Sequence, residues 1–140
     1  MDIRIHHDFA LVRVDDLKRI YESVGWTPRD ERTIVSVFTA STHASFAVDG
    51  DRTVACGRAL SDGVFNAAIY DVVVHSHYQG TGVGQLIVES LLNKLGGVSC
   101  IHLIANTGTE GFYQQLGFKK AKTAMARYLN LDRGAEYLEE

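Results

Sequence analysis

The segment from Tyr70 to Gly84 constrains this chain most. Tyr70-Asp71-Val72-Val73-Val74 reads as a buried strand, and Gln79-Gly80-Thr81-Gly82-Val83-Gly84 follows it as a glycine-rich turn. The turn opens a helix, because Gly84, Ile87, Val88, Leu91, Leu92 and Leu95 recur at helical spacing. Glycines at 80, 82 and 84 let the backbone turn tightly and aim successive N–H groups toward one point, with the positive end of the helix dipole behind them. Two readings stay open on these residues alone: an anion seat, most naturally for a pyrophosphate, and a tight strand-to-helix connection with no ligand.

Two familiar phosphate loops do not fit. A dinucleotide fingerprint started at Gly80 reaches Gln85 where its last glycine belongs, and one started at Gly82 reaches Ile87. A P-loop needs Gly-Lys-Ser/Thr, and the chain holds no Gly-Lys pair. The pattern that fits is Gln-x-x-Gly-x-Gly, on Gln79, Gly82 and Gly84. It resembles the acetyl-CoA pyrophosphate loop of the GCN5-related N-acetyltransferase (GNAT) superfamily. Further on, Glu110-Gly111-Phe112-Tyr113-Gln114-Gln115-Leu116-Gly117-Phe118 resembles that superfamily's Gly-Phe-Tyr…Leu-Gly-Phe segment. Between the two lies an apolar stretch, Cys100 to Asn106, ending in the Asn where family members often place a pantetheine contact. The resemblance runs over residues 46 to 129, and Arg58 to Val74 also resembles the bacterial and plastid arylalkylamine-like branch. One departure stands out. Many relatives carry Lys or Arg where this chain has Thr81, so here the loop relies on backbone N–H groups and the Thr81 hydroxyl.

The bulk numbers fit one compact domain over residues 1–140: at 46% hydrophobic the chain can bury a core of its own. A net charge of −3 offers no basic footprint for nucleic acid. No apolar run approaches the about 18 residues of a membrane span, and Met1 to Phe9 is charged rather than signal-like, so a cytoplasmic protein that contacts no membrane is expected. Cys56 and Cys100 both sit in apolar, strand-like runs and read as reduced core thiols. The histidine clusters His6-His7 and His75-x-His77 lack ligand companions at zinc spacing, so no metal is expected.

Along the chain, Ile3 and Ile5 suggest a short first strand, and Asp15 or Asp16 can cap a helix bearing Leu17, Ile20, Tyr21 and Val24. Pro28 or Asp30 begins a second helix with Ile34, Val37 and Phe38. Phe46–Val48, Thr53–Leu60 and Phe65–Val74 are extended segments, separated by Gly- and Asp-rich turns at Asp49-Gly50-Asp51 and Ser61-Asp62-Gly63. After the glycine-loop helix come a strand, a short helix and terminal strands, with Lys119, Lys120 and Lys122 on a solvated strand edge and an acidic tail at Glu136–Glu140. This order predicts a mixed α/β (α+β) fold. The resemblance specifies a GNAT-type twisted mixed sheet of about six to seven strands, helices on both faces, splayed between the fourth and fifth strands.

The splay implies a function for main chain. Backbone groups left without ladder partners must find others, and pantetheine, with two amides, can add to the edge as a strand would. The resemblance implies cofactor binding by Val72, Val73, Val74, Gln79, Gly80, Thr81, Gly82, Val83, Gly84, Asn106, Phe112 and Tyr113, with a backbone N–H of Val72–Val74 at the oxyanion of a tetrahedral intermediate formed by direct attack. The valine side chains themselves read as core. Tyr113 is the candidate proton donor to the CoA thiolate, since a phenol near pKa 10 stays protonated at neutral pH; its other reading is an aromatic packed on Phe112 and Leu116. Asp71 is the candidate base and ammonium anchor, in surroundings apolar enough to raise its pKa, or else a hydrogen-bonded structural carboxylate. Trp26 and Tyr70 are candidates for an aromatic acceptor wall offering cation–π attraction, or else core.

The leading function is an N-acetyltransferase that moves an acetyl group from acetyl-CoA, as cosubstrate, to a primary amine of a small molecule. A non-catalytic acyl-CoA sensor would have no need of Tyr113, and a protein N-terminal or lysine acetyltransferase would need an open groove. Small members of the family commonly pair, so a homodimer is expected from the resemblance.

Overall fold

The computed structural model describes residues 2–26 and 29–140, so the Pro28 helix start lies outside the described residues. The chain divides into two compact units, one up to Leu103 and one spanning Ile104–Glu140.

The first unit is built on a five-stranded sheet, β1 (Ile3–His6), β2 (His43–Asp49), β3 (Arg52–Ser61), β4 (Asn66–Val74) and β5 (Cys100–His102), in that spatial order. The first four strands are antiparallel to their neighbours, and β5 joins β4 in parallel. The two hairpin turns hold glycines in the left-handed region, Gly50 at φ +66° and Gly63 at φ +81°, where a side chain would be strained. Helices α1 (Val14–Ser23) and α2 (Glu31–Thr39) cover one face. Their residues Leu17, Ile20, Tyr21, Ile34 and Phe38 bury against Phe46, Cys56 and Val73 of the sheet.

Helix α3 (Val83–Lys94) covers the other face. Gly57 is required there: a Cβ at this position would stand 2.7 Å from Ile87 Cγ2 and 3.1 Å from Leu91 Cδ1. Ile87, Val88, Leu91 and Leu95 are buried, as the helical spacing predicts.

The splay is present. β5 pairs with β4 only at Asn66–Ala68, and β4 continues to Val74 with no strand on that edge among the described residues. Asp30 caps α2, its Oδ1 accepting from the Thr33 N–H at 2.7 Å.

Several expectations are corrected. The sheet has five strands rather than six or seven. Residues after Phe118 form none: the run Lys119 to Ala126 is dominated by Lys and Ala, which fit a pleated surface poorly, and Met125 is fully exposed. Lys119, Lys120 and Lys122 therefore lie on no strand edge. The tail is helical instead. Asn130 caps α5 (Leu131–Tyr137), accepting from the Arg133 N–H at 3.1 Å.

The strand expected to reach Asn106 ends at His102, and Cys100 on this short strand is exposed rather than core. Asp16 does not cap α1. It lies in the first turn, 3% exposed, where Oδ2 accepts the Thr53 N–H of β3 at 3.1 Å and so ties helix to sheet. The second unit carries α5 and α4 (Glu110–Gln115), the latter closed by Gly117 at φ +94°.

Candidate functional site

The β4–α3 connection has the geometry its glycines predict. A 3-10 turn at Ser76–Tyr78 is followed by Gly80 at φ +78° and Gly82 at φ +87°, with Gly82 as the N-cap residue of α3. A Cβ at either glycine would meet nothing within 4 Å, so these glycines serve backbone conformation and leave the approach open. The first helical bond in α3 runs from the Leu86 N–H to the Gly82 carbonyl at 3.2 Å. The N–H groups of Val83, Gly84 and Gln85 precede it and have no acceptor within the helix. No side chain caps this end and no acid stands in its first turn. An anion is the natural partner for such an end.

Side chains fix the loop from beneath. Thr81 Oγ1 donates to the Tyr78 carbonyl, so its hydroxyl braces the turn. Gln79 Nε2 donates to the Val74 carbonyl at 3.3 Å, joining the loop to the end of β4. Tyr78 Oη donates to Asp49 Oδ2 at 2.6 Å, and this bond comes first among the causes that hold the Asp49 carboxyl below the usual range. The His75 N–H donates to the Val54 carbonyl at 2.9 Å, which turns the neighbouring Val74 peptide toward the open edge. Val73 thus supplies a core side chain to the sheet, whereas Val72 and Val74, also expected in the core, are half-buried, and β4 presents main chain along its unpartnered side.

Asp71 sits in a β-bulge. Arg58 stands opposite Tyr70 and Cys56 opposite Val73, so Asp71 and Val72 together face Gly57. Asp71 is the only non-glycine residue with positive φ among the described residues, at +53°. This backbone conformation costs about 1 kcal/mol or more for a residue with a Cβ. It turns the Asp71 side chain to the same face as Tyr70, where Oδ2 accepts from Arg29 Nη1 at 2.8 Å and from Arg58 Nε at 2.9 Å. The surroundings are therefore two guanidiniums rather than the apolar shell expected.

The aromatic candidates gather around the same pair. Arg29 lies 4.9 Å from the Tyr21 ring centroid and 5.5 Å from that of Trp26, and Arg58 lies 5.1 Å from that of Tyr70. Trp26 is half-buried and stacks on Tyr21, whereas Tyr70 is 42% exposed. Burial disfavours the Arg29 charge, but the hydrogen bond and carboxylate of Asp71 outweigh it and shift Arg29 upward. Tyr21 Oη is buried with no hydrogen-bond partner among the described residues, and its phenol is raised by burial first and then by Cys56 and Asp71. The Cys56 thiol beside it donates to the Asp71 carbonyl at 3.5 Å, and burial pushes that thiol up to about 12.

Sequence reasoning brought Asp71, Tyr70 and Trp26 forward singly and missed Arg29 and Arg58. One signal was available: Arg58 is a cation inside the apolar run Thr53–Leu60, Asp71 a lone anion in the next strand, and such charges are buried only when paired.

In the second unit, Tyr113 lies on α4 between Phe112 and Phe118, with ring centroids 4.9 Å and 5.8 Å away. Burial raises its phenol above the ordinary value, which keeps the proton on oxygen. Asn106 lies in the loop before α4, where its carbonyl accepts from the Thr109 N–H at 3.0 Å and its Oδ1 accepts from Tyr137 Oη at 3.0 Å. Among the described residues no group of three or more His, Cys, Asp or Glu side chains is placed to share a metal ion, and no helix is long and apolar enough to cross a membrane.

Comparison with known proteins agrees with the strand, loop and helix order. The acetyltransferase (GNAT) family model matches residues 11–118. An uncharacterized N-acetyltransferase, ycf52, of Porphyra purpurea is 34% identical over 118 residues, which cover 78% of this chain and 66% of that protein. Serotonin N-acetyltransferase 2, chloroplastic, of Oryza sativa subsp. japonica is 38% identical over 111 residues, covering 75% of this chain and 56% of that protein. The chain thus spans less than two thirds of the length of either relative. A crystal structure of a probable acetyltransferase from meticillin-resistant Staphylococcus aureus superposes with a TM-score of 0.81 at 22% identity, over 92% of this chain and 99% of that one, a likeness of fold. The chain belongs to the GNAT acetyltransferase family.

Proposed function

We propose that this chain binds acetyl-CoA along the open edge of β4 and the loop 79–84, and transfers the acetyl group to a primary amine of a small molecule. One observation carries the reading: an unpartnered strand edge runs straight into a cluster of N–H groups that have no helical acceptor. The strand edge suits the pantetheine amides and the helix start suits the diphosphate. The open space over Gly80 and Gly82 leaves room for it.

Acetyl-CoA, when bound, supplies the activated thioester. The backbone of Val72–Val74 offers an N–H to the carbonyl oxygen, as at an oxyanion hole. Tyr113, held protonated by its burial, is assigned as donor to the departing sulfur, with Phe112 and Asn106 as further contacts of the cofactor arm. Asp71 is retained as the candidate that receives the ammonium proton, directly or through water, and Trp26 and Tyr70 as the acceptor wall. Homodimer formation belongs to the same reading as an expectation from the family resemblance, and cytoplasmic residence as an expectation from the sequence.

The test is calorimetry with acetyl-CoA, followed by free-thiol release across a panel of amines with mass detection of the product. Binding together with an acetylated amine supports the reading. Tight binding without turnover on any amine makes the chain a sensor, and no heat of binding removes the cofactor site.

A further inference from the structure

We propose that Arg29 and Arg58 form an anion-recognition point for the acceptor, so that the substrate class is a primary amine carrying a carboxylate or phosphate. This deepens the function proposed above and rests on it for the identity of the ligand. The charges around the bulge do not balance. Two guanidiniums share one carboxylate oxygen, Asp71 Oδ2, and among the described residues neither arginine has a second acidic partner. The cluster therefore keeps one excess positive charge in a partly enclosed position, with side-chain exposures of 26% for Arg29, 14% for Arg58 and 7% for Asp71.

Donors are also in excess. Each guanidinium carries five N–H groups. Arg29 uses Nη1 on Asp71, and Arg58 uses Nε on Asp71 and Nη1 on Ser41 Oγ at 3.4 Å. The remaining forks are held in fixed orientation by the Tyr21, Trp26 and Tyr70 rings. A preset guanidinium fork with unused donors matches an anionic oxygen pair.

Guanidiniums already stand over the Trp26 and Tyr70 rings, so an acceptor seated against this wall meets an excess positive charge, which an anionic group on the acceptor offsets.

The experiment compares amino acids with the amines left by their decarboxylation, and amino sugars with their phosphate esters, in acetyl transfer by the full chain and by Arg58→Gln. Binding of the N-acetylated products is measured by calorimetry in parallel, so the readout does not depend on turnover. Arg58→Gln leaves one guanidinium against one carboxylate, and unchanged acetyl-CoA affinity reports that the variant is folded. The expected result is a preference of at least tenfold for the anionic member of one pair, which also identifies carboxylate or phosphate as the group. That preference falls at least fivefold in Arg58→Gln, with weaker binding of the anionic product. Equal or better use of the member without the anionic group, or anionic-product binding that Arg58→Gln leaves untouched, overturns the inference while acetyl-CoA binding leaves the enzyme reading standing. Failure of acetyl-CoA to bind, with anionic ligands still captured through Arg58, sinks the enzyme reading and keeps the anion point.

Discussion

Arg58 Nε donates to Asp71 Oδ2 at 2.9 Å across a bulge in which Asp71 adopts φ +53°. The contact exists because the strand breaks its own alternation. In a regular β4, Tyr70 and Asp71 would point to opposite faces; the left-handed residue puts both on the α1 and α2 face, within reach of Arg58 and Arg29. Removing the carboxylate leaves two partly buried guanidiniums without a counterion. Asp71→Ala should therefore lose about 3 kcal/mol in urea denaturation. Asp71→Gly loses the same ion pairs but relieves the left-handed strain, so it should stand about 1 kcal/mol above the alanine variant. Equal stability of the two variants would show that the bulge is unstrained.

Gly82 separates fold from binding. A Cβ there touches nothing within 4 Å, so Gly82→Ala introduces no clash. Its φ of +87° is nevertheless unsuited to alanine, and the cost is about 1–2 kcal/mol or a local rearrangement of the cap. Either outcome turns N–H groups away from their common point, so acetyl-CoA affinity by calorimetry should fall at least tenfold. Gly97→Ala, where a Cβ also meets nothing and φ is outside the left-handed region, is the control and should leave affinity within twofold.

Tyr113→Phe tests the proton donor. The ring stays between Phe112 and Phe118, so packing is retained and only the hydroxyl is lost. Because burial raises the phenol, the wild-type group remains a donor throughout the neutral range. Steady-state kinetics should show kcat down at least tenfold, a range ordinary for loss of an acid catalyst, with the acetyl-CoA dissociation constant unchanged. Unaltered turnover would return Tyr113 to a packing role.

What was readable in the sequence follows from how local the cause is. The glycine loop, α3 and the hairpin turns are set by residues within a few positions of one another, and all were legible. The splay came only with the family resemblance, since nothing in β4 itself announces where its parallel partner stops. The bulge was invisible because it depends on Gly57 of β3 packing under Ile87 and on a non-glycine residue accepting positive φ. Arg29 was hidden for the same reason: 42 residues separate it from Asp71. At the C-terminus strands were expected, yet Lys119 to Ala126 lacks the branched and aromatic side chains that make a pleated surface worth burying, and Asn130 instead starts a helix.

The buried thiol of Cys56 makes stability depend on alkaline pH. Its pKa is raised from 9.0 to about 12, by burial first and by the Asp71 charge second. A raised folded-state value means the protonated form is favoured in the native protein. The stabilisation is fully present below pH 9, where the unfolded thiol also keeps its proton, and is lost as pH rises toward 12. Through that window one proton separates the two states, a slope of about 1.4 kcal/mol per pH unit at its steepest. Tyr21, also raised by burial, adds a second decline above pH 10. Urea denaturation at pH 8, 9 and 10 should show stability falling for the wild type. Cys56→Ala should start lower at pH 8 through lost packing, yet fall less steeply to pH 10. Parallel declines in the two proteins would mean that the thiol ionises freely in the folded state and that its enclosure between Tyr21 and the Asp71 carbonyl is looser than the 3.5 Å contact implies.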